Sequence, residues 1–113
     1  MKKNLVFLFF FFAAAAVYSQ QASDNFSGKW KTAEGKIIEI SLAKGVHTGL
    51  ALPEKKPILT DVKFRDGKWK GMAYNPQKGV TAACEVVFQD GNKLKITAFQ
   101  GTFSKVIYWT RVQ

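Results

Sequence analysis

From Phe26 to Val112 the chain repeats one rhythm: six to ten residues of β-type sequence, then a break containing glycine or proline. The breaks are Ala33-Glu34-Gly35, Ala43-Lys44-Gly45, Asp66-Gly67, Asn75 to Gly79, Asp90-Gly91-Asn92 and Gln100-Gly101. A further break, Pro53 to Pro57, carries two prolines and is excluded from any central strand. Asp-Gly between alternating runs is a hairpin signal, because type I′ turns require positive φ. Eight strands are predicted, at about 26–32, 36–42, 46–52, 58–65, 68–74, 80–88, 93–99 and 102–112, with period-2 alternation supporting most of them. Ile58, Thr60, Val62 and Phe64 are expected on one face of the fourth. Ala82, Cys84, Val86 and Phe88 share a face of the sixth, and Leu94, Ile96 and Ala98 a face of the seventh. No segment carries a helical stripe.

Connections this short force sequential strands to pair antiparallel. An open eight-stranded meander would expose two edges, so closure is favoured. The expected fold is all-β, a single eight-stranded antiparallel up-and-down barrel over 26–113. A two-sheet sandwich is the alternative. An eight-stranded barrel has an interior that side chains can fill, or that can hold one small ligand.

The segment before the barrel has a different pattern. Lys2 and Lys3 are followed by a wholly apolar run, Leu5 to Val17, and then by Val17-Tyr18-Ser19. This is the three-part layout of a secretory signal over 1–19, with cleavage near Ser19. At 13 residues the run is shorter than the roughly 18 needed for a membrane-spanning helix. The mature chain is therefore expected to have no transmembrane anchor, and to be periplasmic or secreted from a bacterium. Residues 20–25 read as a flexible polar leader.

Export changes how charge and cysteine are read. The formal charge is +9, and +7 once Lys2 and Lys3 are removed. Cys84 is the only cysteine. A lone cysteine forms no internal disulfide, so the barrel must rest on apolar packing, with Cys84 as a small buried hydrophobe. Lys63, Arg65, Lys68 and Lys70 surround the Asp66-Gly67 turn with Trp69 interleaved. In a cytoplasmic protein that mix would suggest a nucleic-acid groove. In an exported one the expectation is no nucleic acid, but either a solvated exterior or contact with an anionic envelope component.

Gly28-Lys29-Trp30 on the first strand and Tyr108-Trp109-Thr110-Arg111 on the last resemble the structural signature of the calycin superfamily, the lipocalin-like barrels. The resemblance implies structural roles for Gly28, Trp30, Trp109 and Arg111, with the tryptophan of G-x-W closing one end and the arginine packed across it. The stretch Leu59 to Val112 is similar to an exported bacterial family catalogued as domain of unknown function 2147 (DUF2147). Its match is carried by Gly67-Lys68-Trp69-Lys70-Gly71, Tyr74-Asn75-Pro76, Cys84-Glu85-Val86 and Tyr108 to Val112. That family is lipocalin-like and has no established activity. This chain departs from it in a short Pro53–Pro57 segment and in Thr48-Gly49 where a Cys-Gly is common.

Little in the residues supports catalysis. His47 is the only histidine, so no two-histidine metal site exists, and it is expected as a solvent-facing strand residue. A Cys84–His47 nucleophilic pair is conceivable but set against the apolar face of Cys84. The carboxylates are dispersed, with Asp66 and Asp90 in turns. The expectation is no enzyme, no metal and no cofactor. The barrel interior is the stronger candidate, for a small hydrophobic or amphipathic ligand lined by Trp69, Gly71 and Ala73, with Tyr108 at the mouth. The cavity is expected to open opposite Trp30. Lys63, Arg65, Lys68 and Lys70 are the alternative site, and oligomeric state is left open.

Overall fold

The computed structural model describes residues 20–112. The export signal expected over 1–19 lies outside the described residues. The chain forms eight strands: β1 (Gly28–Lys31), β2 (Ile37–Ala43), β3 (Val46–Ala51), β4 (Lys56–Arg65), β5 (Lys68–Asn75), β6 (Val80–Asp90), β7 (Lys93–Gln100) and β8 (Phe103–Arg111). Each pairs antiparallel with the next, and β1 pairs with β8 to close the barrel in the order β1 to β8. The barrel, not the sandwich, is the observed architecture.

The turns follow their residue types. Asp66 and Gly67 both have positive φ, 53° and 77°, and Lys44 and Gly45 do the same at 52° and 78°. This pair of conformations matches the twist of a two-residue hairpin. Asp90-Gly91-Asn92 is built differently. The Asn92 amide donates to Asp90 Oδ1 at 2.8 Å, an Asx turn, and the β6–β7 register shifts at Asp90.

The inward row contains Trp30, Ile38, Ile40, Leu59, Val62, Trp69, Cys84, Val86, Leu94, Ile96 and Trp109, all buried. The alternation predicted for β6 and β7 holds. That of β4 does not: Leu59 and Val62 are both buried, with Thr60 and Asp61 exposed between them. The reason is a bulge. The β4–β5 register shifts between Thr60 and Lys63, and Asp61 takes a φ of 57°. An extra residue on one strand re-phases its side chains. Thr60 thereby loses the inward role expected of it, while Ile58 stays partly buried against the core.

The two ends of the barrel differ. One end carries the β2–β3, β4–β5 and β6–β7 turns and is filled by Phe26, Trp30, Phe64, Trp69, Phe88 and Trp109. Phe26, expected to begin a strand, is instead a plug residue, fully buried with its ring 4.9 Å from Phe88 and 5.7 Å from Trp69. The other end carries the β1–β2, β3–β4, β5–β6 and β7–β8 turns. Three of its inward positions are alanines: Ala73 stands opposite Ala82, and Ala98 lies between Cys84 and Lys105. All three alanines are only partly buried.

Candidate functional site

At the plugged end two hydrogen bonds tie the leader to Trp69, and two more hold Phe26 against Trp30 and His47. Trp69 Nε1 donates to Gln21 O at 2.8 Å, and the Trp69 amide donates to Gln20 Oε1 at 2.7 Å. Trp30 Nε1 donates to Phe26 O at 2.9 Å. The Phe26 amide donates to His47 Nε2 at 3.0 Å. The leader also caps itself, since the Gln21 amide donates to Asp24 Oδ2 and the Asp24 amide to Gln21 O. Expected as a flexible leader, 20–25 makes these specific contacts across the plug.

His47 corrects the expectation of a solvent-facing residue. It is 1 % exposed, because it shares inward parity with Gly49 and Ala51 on β3. Its ring lies 4.8 Å from Phe26 and 4.7 Å from Trp69. Nε2 accepts from Phe26, so the ring proton resides on Nδ1, which is buried without a partner among the described residues. Burial pushes the imidazole below its ordinary range, and nearby Asp24 pulls it partly back. Neutral His47 is therefore a structural acceptor in the plug.

Trp30 and Arg111, paired in register across β1 and β8, are in contact. The Arg111 guanidinium carbon lies 4.3 Å from the centre of the Trp30 ring, and Arg111 Nε donates to Gly91 O at 3.3 Å. Such a stack over an indole is a favourable cation–π contact. Gly28 has a φ of 131°, and a Cβ there would meet the Arg111 guanidinium at 3.1 Å. Trp109 is buried.

The interior residues singled out in the sequence do not form one cavity. Trp69 belongs to the plug, at the same end as Trp30, and is sealed by the leader. The space beside Gly71 is occupied: a Cβ there would fall 2.6 Å from Val62 Cγ2 and 2.7 Å from Thr60 O. Tyr108 is not at a mouth. It points outward at 45 % exposure, with Lys93 Nζ 5.6 Å above its ring. The expectation failed because Trp109, the larger ring, takes the inward parity on β8. Only Ala73 lies toward the open end on the inner face.

The basic hairpin is brought together as predicted: Lys63 pairs with Lys70 and Arg65 with Lys68 across β4 and β5. Its charge is partly offset. Lys63 lies 3.0 Å from Asp61, Lys68 3.8 Å from Glu85 and Lys70 3.8 Å from Asp66. These exposed pairs add little stability, but they reduce the field an anionic partner would meet.

Cys84 is buried opposite Gly71, and burial raises its thiol to about 11, partly offset by a hydrogen bond from the Gly71 backbone. His47 Nε2 is engaged by Phe26, so neither member of the conceivable Cys84–His47 pair is set up as nucleophile and base.

Sequence reasoning missed the cleft at the open end. It has a volume of about 420 Å³ and is lined by Lys78, Val80, Thr81, Ala82, Phe99, Gln100 and Gly101. It lies where the β5–β6 and β7–β8 turns meet. The available signal was the run of small residues at 81–83 beside Ala98.

A family model described as "Uncharacterized protein conserved in bacteria (DUF2147)" matches residues 51–111. No curated protein and no solved structure matches the chain.

Proposed function

The chain belongs to this bacterial family, DUF2147, and on that premise we propose that it is a non-enzymatic binding module for a small amphipathic ligand at the open end of the barrel. The carrying observation is the contrast between the ends: aromatic rings fill one, while the inward alanines of β5, β6 and β7 remain partly uncovered at the other, beside the 420 Å³ cleft. That volume falls within the roughly 300–1,000 Å³ typical of ligand sites. Val80, Ala82 and Phe99 supply apolar contact, and Lys78 places a cation at the rim. An apolar chain with an anionic head suits this lining. The reading is tested by calorimetric titration of the purified protein with dodecanoate and with dodecanol. Saturable dodecanoate binding is expected, weakened at least about tenfold (1.4 kcal/mol) by Ala82→Phe and by removal of the charge from the probe. Absence of saturable binding, or an unaffected Ala82→Phe variant, would refute it.

The alternative, an anionic envelope polymer held by Lys63, Arg65, Lys68 and Lys70, has less support because three of the four cations face carboxylates. The proposed setting is the periplasm or the cell exterior, on the strength of the signal pattern in residues 1–19. Cell fractionation with intact mass tests it: a chain that keeps Met1 to Ser19 and stays in the cytoplasmic fraction would count against export.

A further inference from the structure

We propose that the N-terminal half of β8 is a docking edge for a second copy of this chain, pairing antiparallel about Val106. β8 has nine residues, but β1 pairs with only Thr110 and Arg111. β1 is four residues long and turns back at once, with the Gly35 amide donating to Thr32 O and the Thr32 amide to Lys36 O. The wall beside Phe103 to Tyr108 is therefore left without a neighbouring strand among the described residues.

Two hydrogen bonds fix which backbone groups face that gap. The Arg111 amide donates to Asn92 O on the β7 side, and the Val112 amide to Lys29 O on the β1 side. The β7–β8 register runs without a shift from Lys93–Thr110 to Gln100–Phe103. Strand alternation then directs the N–H and C=O groups of the odd-numbered residues to β7, and those of Ser104, Val106 and Tyr108 to the open edge. A row of unpaired backbone groups is a template for strand addition.

The edge fits a copy of itself. Ser104, Val106 and Tyr108 share the outer face and carry no charge, on a chain whose formal charge is +9. Val106 and Tyr108 are 43 % and 45 % exposed, and Phe99, opposite Ser104 on β7, is 43 % exposed, so an apolar strip runs along the edge. A two-fold axis at Val106 sets Ser104 against Tyr108 of the second copy and Lys105 against Ile107. No lysine faces a lysine directly. Each of the three opposed pairs exchanges two backbone bonds, both edges are satisfied at once, and the contact closes without propagating into a fibre. Phe99 also lines the rim cleft, whereas Ser104, Val106 and Tyr108 do not, so substitutions at Val106 test this pairing apart from ligand binding.

The test is the mass of the purified protein by sedimentation equilibrium at about 100 μM, a concentration that populates a dimer of micromolar Kd, combined with amide hydrogen exchange. A dimer is expected, with slow exchange at Ser104, Val106 and Tyr108. Val106→Pro removes an N–H that β7 does not use, and edge strands tolerate proline there. Val106→Lys sets two cations at the axis. Both variants are expected to be monomeric with the wild-type circular dichroism spectrum. A monomeric wild type with freely exchanging edge amides overturns the proposal, as does a dimer that survives both substitutions. A monomer with protected edge amides also overturns it, and assigns the edge to residues of the same chain.

Discussion

Gly71→Ala adds one methyl group at the most crowded glycine position of the barrel. Gly71 lies on the inner face of β5 between Trp69 and Ala73, and the β4 bulge drives Val62 against it. The new Cβ would lie 2.6 Å from Val62 Cγ2, 2.7 Å from Thr60 O and 2.7 Å from Val62 Cα. Carbon pairs rest at about 3.5–4.0 Å, so β4 and β5 would have to separate by close to an ångström. Two of the three contacts are backbone atoms, which no rotamer change can relieve. Overpacking of a core costs about 1–3 kcal/mol, and this site belongs at the upper end. For a domain of this size about 3 kcal/mol lowers Tm by roughly 10–25 °C. Gly49→Ala is the internal control. Its Cβ would meet only side-chain atoms, Ile38 Cγ2 and Leu59 Cβ, both at 3.3 Å, so a cost below about 1.5 kcal/mol is expected. Thermal and urea unfolding followed by circular dichroism measure both. Equal stability of the two variants would refute the close-approach argument. A nearly neutral Gly71→Ala would instead mean that the residue borders empty space, as a ligand-lining glycine would.

Two further outcomes follow from the burial of His47 and Cys84. His47 is held below its ordinary value by burial, so the folded state binds fewer protons than the unfolded one. Its contribution to stability is fully present above the unfolded value near 6.5 and is lost as pH falls through the lower folded value. Urea midpoints are expected to decline on acidification below about pH 6.5, and His47→Gln to flatten that decline; an unchanged slope in the variant would remove His47 as its cause. Cys84, with its thiol raised to about 11 and its side chain buried, is expected to resist a maleimide at pH 7.5 in the native protein and to react fully in urea. Rapid native labelling would contradict the packing around Gly71.

The parts of the fold that were legible were those where chemistry is local. Asp66-Gly67 announces its turn because both residues take positive φ cheaply, and the alternation of Leu94, Ile96 and Ala98 reports one buried face. The bulge at Asp61 was hidden because it depends on the β4–β5 register and not on residue type. His47 was misplaced for a related reason. Its neighbours of the same parity, Gly49 and Ala51, are too small to mark a buried row, and a histidine beside a turn reads as exposed until a partner is known. That partner, the Phe26 amide, is 21 residues distant. The candidate site suffered most. Trp69 and Tyr108 were assigned by size and position, yet Trp69, beside the β4–β5 turn, lies at the end that Phe26 and the leader cover. Tyr108 faces outward because Trp109 beside it takes the inner position.

The leader gives these corrections a common physical basis. A barrel of eight short strands has two openings, and aromatic side chains suffice to fill one. Here Phe26, Trp30 and Trp69 do so only with the help of polar groups from outside the strands: Gln20 and Gln21 receive the Trp69 donors, and Phe26 O receives the Trp30 donor. A buried indole N–H without an acceptor would cost about 1–3 kcal/mol, so the strap is part of the closure and not an appendage to it. The expected cleavage after Ser19 would leave Gln20, the first of these acceptors, as the first residue of the mature chain. At the opposite end Ala73, Ala82 and Ala98 are only partly buried. The ligand site proposed beside Ala82 therefore lies at the end opposite this closure.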